Sequence, residues 1–322
     1  MTPDRIIVVT RKTRLQELIR RFNTKSQAKF YVESRGLSFD DYLIEDANYE
    51  AAKRSVLQSI PRSIRQVELD RQFLPNYIFA QNDLVLSLGQ DGLVVNIAKY
   101  LDGQPILAVN PDPERFDGIL LPFLVRDVKP TIDKFTGDAL SMRPITMAKA
   151  ALNDGQQLLA FNDLFIGPKT HASARYCIEY RGSVENQSSS GIIVSTPAGS
   201  TGWMSSIFNQ SKAVSEFSWS RSYNNDTNKD NTDELPVIEK PQLQWEERRL
   251  LFAVREPFQS QVSKVNIAAG FIDQGEFLKL ESHMPENGVI FSDGMEWDFL
   301  EFNSGITAQI SISEKCTNLL IV

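Results

Sequence analysis

The sequence predicts an open α/β domain followed by a strand-dominated half, and three observations carry that reading. Up to about Lys134, short apolar runs alternate with helical periodicity; from Phe161 onward a period of two takes over; and a small-residue turn, Gly89-Gln90-Asp91-Gly92, sits where a strand period changes to a helical one. In chain order, Ile6 to Val9 form the first strand. Helical patterns follow through Leu15, Leu18 and Ile19, around Ala28 to Tyr31, and over Tyr42 to Ile60. Gln66 to Leu69, Leu84 to Leu88 and Ile106 to Val109 are the next strands, with Leu93, Val94, Ile97, Ala98 and Leu101 at helical spacing between the last two. This is the habit of a parallel sheet that takes its ligand at the carboxyl ends of its strands. Later, Tyr176, Ile178 and Tyr180 alternate with Cys177, Glu179 and Arg181, and Ile306, Ala308, Ile310 and Ile312 with Thr307, Gln309, Ser311 and Ser313, so these strands have one wet face. The boundary falls between residues 135 and 136. Between Asn209 and Trp245 the texture changes again. Residues 220–234 are almost free of apolar side chains and cannot bury a core, so 209–245 reads as a mobile surface insertion.

Composition narrows the function classes. The chain has 322 residues, is 42% hydrophobic, and sets 34 Lys+Arg against 41 Asp+Glu for a formal net charge of −7. That balance argues against a nucleic acid or an anionic membrane as the main partner. Cys177 and Cys316 make neither a disulfide framework nor a spaced metal set, and His171 and His283 cannot build a histidine-rich metal site, so no protein metal centre is expected. No stretch approaches the roughly twenty apolar residues of a membrane span. The start, Met1-Thr2-Pro3-Asp4-Arg5, leads straight into the first strand without the marks of a signal or transit peptide, so a cytoplasmic location is expected.

The glycine turns carry the chemistry. A helix N-terminus presents unpaired N–H groups and partial positive charge, so the turn after Leu88 suits an anion, and Asp91 sits among those groups. On this motif alone, a second reading stands beside it: Gly89 and Gly92 shape a tight turn and Asp91 caps the helix. A second turn, Ser195-Thr196-Pro197-Ala198-Gly199-Ser200-Thr201-Gly202-Trp203, follows the apolar run Ile192-Ile193-Val194 and is rich in hydroxyls and N–H donors.

Taken in order, the Gly-x-Asp-Gly turn, Asn162-Asp163 and Thr-Pro-x-Gly-Ser-Thr resemble the NAD kinase family, of the diacylglycerol-kinase-like superfamily. Val109 to Arg115, Phe165-Ile166-Gly167, Ser189-Ser190-Gly191, Phe252 to Pro257 and Phe299 to Gly305 are similar to its mitochondrial-type branch and bacterial relatives of that branch. The resemblance covers most of the chain from about residue 80, leaving out 207–245. It implies an N-terminal open α/β nucleotide-binding domain and an all-β, β-sandwich-like second domain, the last strand returning to the first. It also implies homodimers or larger assemblies, and transfer of the γ-phosphoryl group of ATP, with a divalent metal (Mg²⁺), to the 2′-hydroxyl of the adenosine ribose of NAD.

Carried over residue by residue, Asp91 matches the family's aspartate at the reacting hydroxyl, where an acid orients the hydroxyl and accepts its proton late. Gly89 and Gly92, with Gly199, Ser200 and Thr201 and the adjoining Gly202, would bring backbone N–H groups to phosphates. Asn162 and Asp163 match an Asn-Glu pair, which suits an adenine edge and ribose hydroxyls; from the residues alone they also fit a strand-opening turn. Trp203 stands for the family's tyrosine and offers a flat face to a base, or packs in the core; Phe116 is a second stacking candidate. Ser206 falls where the family has a serine near the nicotinamide side, and Ser190 where it has an aspartate or, in the mitochondrial-type branch, serine. Gln90 and Leu93 depart from Gly-Gly-Asp-Gly-Thr. With Gln90 at positive φ, strain of about 1–2 kcal/mol is expected, and its amide could donate to a phosphate. Two further readings stay open: a lipid or sugar kinase of the same superfamily, and a nucleotide-binding sensor impaired through Gln90.

Overall fold

A computed structural model describes residues 2–137, 139–225, 238–296 and 298–321. The chain divides into two compact units, Met1–Pro144 with Cys316–Val322, and Ile145–Lys315. The division comes after Pro144 rather than after residue 135, because α5 (Val128–Thr136) packs into the first core through Val128, Ile132 and Phe135 and the chain beyond it carries no Gly/Pro cluster to mark a linker.

In the first unit, β1 (Arg5–Thr10) is followed by α1 (Arg14–Phe22), α2 (Lys25–Glu33), α3 (Asp40–Ser59) and β2 (Arg65–Asp70). Then come β3 (Asp83–Leu88), α4 (Asp91–Ala98), β4 (Pro105–Asn110) and the short β5 (Phe123–Leu124) before α5. The strands run parallel in the order β2-β1-β3-β4, with β5 continuing beside the end of β4. β3 is buried along its whole length, as a central parallel strand covered on both faces must be. Its one acid, Asp83, is held by both Nε and Nη2 of Arg5 at 2.8 and 2.7 Å, so the buried charge is paired and hydrogen-bonded. Ile6, Val8, Leu84, Leu86, Leu88, Leu107 and Val109 form one core with α3 and α5; each fully buried branched side chain contributes roughly 1.5–3 kcal/mol.

The second unit holds two antiparallel sheets. β6 (Ser141–Leu152), β7 (Gln157–Ala160), β9 (Ala174–Tyr180), β10 (Ser183–Ser189), β14 (Leu278–Ser282) and β17 (Thr307–Ile321) build one, in the order β7-β6-β17-β14-β9-β10. β8 (Asp163–Pro168), β11 (Ile192–Ser195), β12 (Arg249–Val254), β13 (Ala269–Asp273), β15 (Gly288–Ser292) and β16 (Phe299–Glu301) build the other, in the order β13-β12-β11-β8-β15-β16. Tyr176, Ile178, Leu280 and Ile310 from the first sheet meet Ile166, Ile192, Phe252 and Ile290 from the second in a single core, which makes a β-sandwich. The end of β17 pairs with β4, Asn318 opposite Pro105 and Leu319 opposite Ile106.

α6 (Trp203–Asn225) runs into the segment expected to be a mobile surface insertion. Residues 209–225 continue that helix, while 226–237, the rest of the most polar stretch, lie outside the described residues. No helix among the described residues is long and apolar enough to cross a membrane.

Candidate active site

The order β2-β1-β3-β4 puts a topological switch point between β1 and β3: the chain leaving β1 crosses to one side and the chain leaving β3 to the other, which opens a crevice at their carboxyl ends. The Gly89–Gly92 turn lies there. Gln90 takes the cap position of α4 with extended dihedrals, φ −96° and ψ 169°, and no side-chain cap bond. The expected positive-φ strain at Gln90 is therefore absent, because a helix cap residue adopts the β region, open to any L side chain. A Cβ on Gly89 would stand 2.8 Å from Leu93 Cδ2, whereas one on Gly92 would meet nothing within 4 Å. The amides of Asp91 and Gly92 have no partner within their own helix.

Asp91 does not cap α4. Its Oδ1 accepts from the Leu120 N–H at 2.7 Å, a bond to the loop after β4. Asn110 shapes that loop: its Nδ2 donates to the Phe116 carbonyl at 2.9 Å and its Oδ1 accepts from the Asp112 N–H at 3.0 Å. Gly118, at φ +66°, is fixed by the same side chain, since a Cβ there would lie 2.7 Å from Asn110 Nδ2. Together these contacts set the direction of the Asp91 carboxylate. Opposite, the Tyr49 hydroxyl accepts from the Arg11 N–H at 2.9 Å and donates to the Leu88 carbonyl at 3.0 Å, tying the ends of β1 and β3 together. Burial pushes the Tyr49 phenol up to about 12, so it remains a donor. Phe116, a stacking candidate, presents its ring to the Arg11 guanidinium, 5.8 Å away.

In the second unit, Asn162-Asp163 and the second turn form one hydrogen-bonded knot. The Thr196 N–H donates to the Asn162 carbonyl at 2.8 Å; its Oγ1 donates to the Phe161 carbonyl at 2.5 Å and accepts from the Gly199 N–H at 3.1 Å. A Cβ on Gly199 would stand 2.0 Å from the Asn162 carbonyl oxygen, so this glycine is demanded by close backbone approach. Ser200 is buried and its hydroxyl donates to the Pro197 carbonyl at 2.8 Å, leaving Thr201 and Gly202 as the exposed part of the turn. Asp293, at φ +56°, caps the knot: Oδ2 accepts from the Phe161 N–H at 3.1 Å, and Oδ1 from the Asn162 and Asp163 N–H groups at 2.6 and 3.3 Å. Burial first, and the Asp293 charge second, push the Asp163 carboxyl up to about 7, so near neutral pH it both donates and accepts.

Trp203 stacks on Phe165 with ring centroids 5.7 Å apart, and the Arg255 guanidinium lies 5.3 Å from its ring. Its rim and Ser206 line a cavity of about 500 Å³ with Gln210, Val254, Arg255 and Glu256. Ser190 donates its hydroxyl to the Glu256 carboxylate, so it belongs with this wall and not with the Asn162–Gly199 knot. Among the described residues there is no group of three or more His, Cys, Asp or Glu arranged to hold a metal ion. Sequence reasoning missed Arg11, Tyr49, the Leu120 amide and Asp293. Of these, Asp293 had a signal, since Ser292-Asp293-Gly294 is a turn following the apolar run Val289-Ile290-Phe291.

No family model matches the chain. It is 30% identical over 136 residues to an NAD kinase of Caldanaerobacter subterraneus subsp. tengcongensis, a match covering 40% of this chain and 47% of that one. The chain thus spans about half the length of this curated relative. Its fold is similar to that of the yeast NADH kinase complexed with NADH, with a TM-score of 0.59 and 12% identity over 100% of this chain and 84% of that one. It is also similar to an NAD kinase from Archaeoglobus fulgidus in complex with ATP, with a TM-score of 0.55 and 13% identity over 98% and 92%. The ordered motifs and the shared stretch of sequence point the same way: over 136 residues the chain is similar to an NAD kinase, and its fold is similar to those of the solved NADH and NAD kinases.

Proposed function

We propose that this chain transfers the γ-phosphoryl group of ATP to the 2′-hydroxyl of the adenosine ribose of NAD, giving NADP. The observation that carries the reading is Asp91, an acid at the switch-point crevice whose Oδ1 is fixed by the Leu120 N–H and whose helix start leaves its own and the Gly92 amides without intrahelical partners. An acid among anion-binding amides gains nothing from binding phosphate, but it can orient a hydroxyl and take its proton as the phosphoryl group departs. Support comes also from the solved relatives, one holding NADH and one ATP.

In the second unit, Asn162 and Asp163 suit the adenosine part of a nucleotide. Asp163, poised between its protonated and ionised forms, accepts from ribose hydroxyls in the ionised form, and such bonds draw its pKa back down. The divalent cation is read as arriving with ATP as part of the substrate, where it neutralises triphosphate charge. Against an impaired sensor stands the retention of Asp91, since a pure binder gains nothing from an acid beside phosphates.

The test is incubation of purified chain with ATP and Mg²⁺ and NAD, NADH, diacylglycerol or simple sugars, following phosphorylated product. Phosphorylation of NAD that falls by about 10²-fold or more in Asp91→Asn, with NAD binding within a small factor, is expected. No NADP from the wild type ends the reading; product only from diacylglycerol or sugar moves it to another acceptor.

A further inference from the structure

The geometry points to Arg11 as a polyphosphate-binding residue, completing an anion site with the start of α4; this rests on the kinase reading above. Arg11 follows the last residue of β1 as Gly89 follows the last residue of β3, so the two stand on either side of the switch point between adjacent parallel strands. Tyr49 locks them in that relation through its bonds to the Arg11 N–H and the Leu88 carbonyl. The Arg11 Cδ lies 3.6 Å from the position of a Gly89 Cβ, so its side chain runs along the turn.

The side chain is only 10% exposed, yet its bonding is incomplete. Nη1 donates to the Lys12 carbonyl at 3.1 Å and Nη2 to Glu45 Oε1 at 3.2 Å. Nε is buried with no hydrogen-bond partner, and the remaining Nη hydrogens carry no described bond. A buried donor left unpaired is costly, and in native folds such a group calls for a ligand or an ordered water. A plain structural ion pair accounts for it poorly: Glu45 is also engaged by Arg14 Nε, so one carboxylate is shared by two guanidinium groups. Tyr49 and Phe116 flank the guanidinium, with ring centroids 5.3 and 5.8 Å from Cζ, which holds the plane of a group whose fork matches phosphate oxygens. The ligand is the polyphosphate of a nucleotide, either the pyrophosphate of NAD or the triphosphate of ATP.

The experiment measures equilibrium binding of ATP, NAD and adenosine to the wild type, Arg11→Gln and Arg11→Lys, with melting temperatures alongside. In Arg11→Gln, affinity for ATP or NAD falls roughly 10- to 100-fold while adenosine binding is unchanged; the nucleotide that loses affinity identifies the phosphate source. Arg11→Lys keeps the charge beside Glu45 and the fold, and loses roughly 3- to 10-fold for the same nucleotide, so it decides the matter if Arg11→Gln does not fold. Affinities within threefold of wild type for both nucleotides overturn the inference, as does an equal loss for adenosine, which marks a purely structural role. A wild type that binds neither nucleotide also overturns it. A wild type that binds them but makes no NADP sinks the kinase reading and leaves the binding comparison to judge Arg11.

Discussion

Gly199→Ala tests whether the second glycine turn is built by backbone contact. The new Cβ would stand 2.0 Å from the Asn162 carbonyl oxygen, 2.5 Å from its carbon and 2.7 Å from Asn162 Cα. Ordinary carbon-to-oxygen contacts are about 3.3 Å, so the two segments must separate by about 1 Å. No flexible side chain can yield, because every atom struck is backbone. The shift breaks or stretches the Thr196 N–H bond to Asn162 and the Gly199 N–H bond to Thr196 Oγ1, both buried. Overpacking costs about 1–3 kcal/mol and each stranded buried group about 1–3 kcal/mol, so a loss of roughly 3–4 kcal/mol is expected. Trp203, Trp219, Trp245 and Trp297 all fall within the stretch Ile145–Lys315, so tryptophan fluorescence during urea unfolding reports on the affected unit. With a urea slope of about 1–3 kcal/mol/M, the midpoint drops by about 1–4 M. A shift below about 0.3 M would refute the close-packing argument.

Gly92→Ala places its methyl in open space, so the fold holds or gains up to about 1 kcal/mol in the helix. If that open space admits a phosphate, KM for ATP or NAD nonetheless rises about tenfold or more; unchanged steady-state kinetics would show the turn is not a phosphate site. Gln90→Gly relieves no strain, so chemical denaturation should show a loss of about 0.5–1 kcal/mol with turnover within a few-fold of wild type; a collapse in rate means the glutamine amide is itself a contact. For Asp163 the folded pKa is raised, so the native state holds its proton longer than the unfolded chain, and stability falls as pH rises from about 4 to about 7. The burden above pH 7 is at most roughly 4 kcal/mol, and Asp163→Asn should raise the melting temperature at pH 7.5 and flatten its decline over that window; an unaltered pH profile contradicts the burial argument. Asp293→Ala strands the amides of Phe161, Asn162 and Asp163 and should cost roughly 2–4 kcal/mol, read from the same fluorescence transition; a near-neutral result would mean other groups cap that turn.

The strands of the first unit were legible because fully buried parallel strands read as continuous apolar runs, and Leu84 to Leu88 is such a run. The sandwich was legible as alternation, with Tyr176 and Ile178 inward and Cys177 and Glu179 outward. The helical form of 209–225 was not legible because an exposed helix needs no apolar face, so a polar stretch loses its period without losing its hydrogen bonds. Asp91 illustrates the limit for a site. Its place at a strand-to-helix switch was readable, but its partner is the main-chain N–H of Leu120, a group every residue but proline carries, and nothing in a sequence marks which amide will arrive.

The two glycine turns sharpen that point. In the sequence, Gly92 and Gly199 look alike, each a glycine beside hydroxyls or acids after an apolar run. In the structure they are opposite kinds of glycine: at Gly199 the missing Cβ is filled by Asn162 backbone, and at Gly92 by nothing. The first serves the fold, because only glycine lets Asn162-Asp163 and the turn share Thr196. The second has no structural reason to be glycine, since alanine would fit and favour the helix. Glycine lowers helix stability where space is free, so under the proposed kinase function its role would be to admit a phosphate beside the unpaired amides and Asp91, and the Gly92→Ala kinetics decide whether it does.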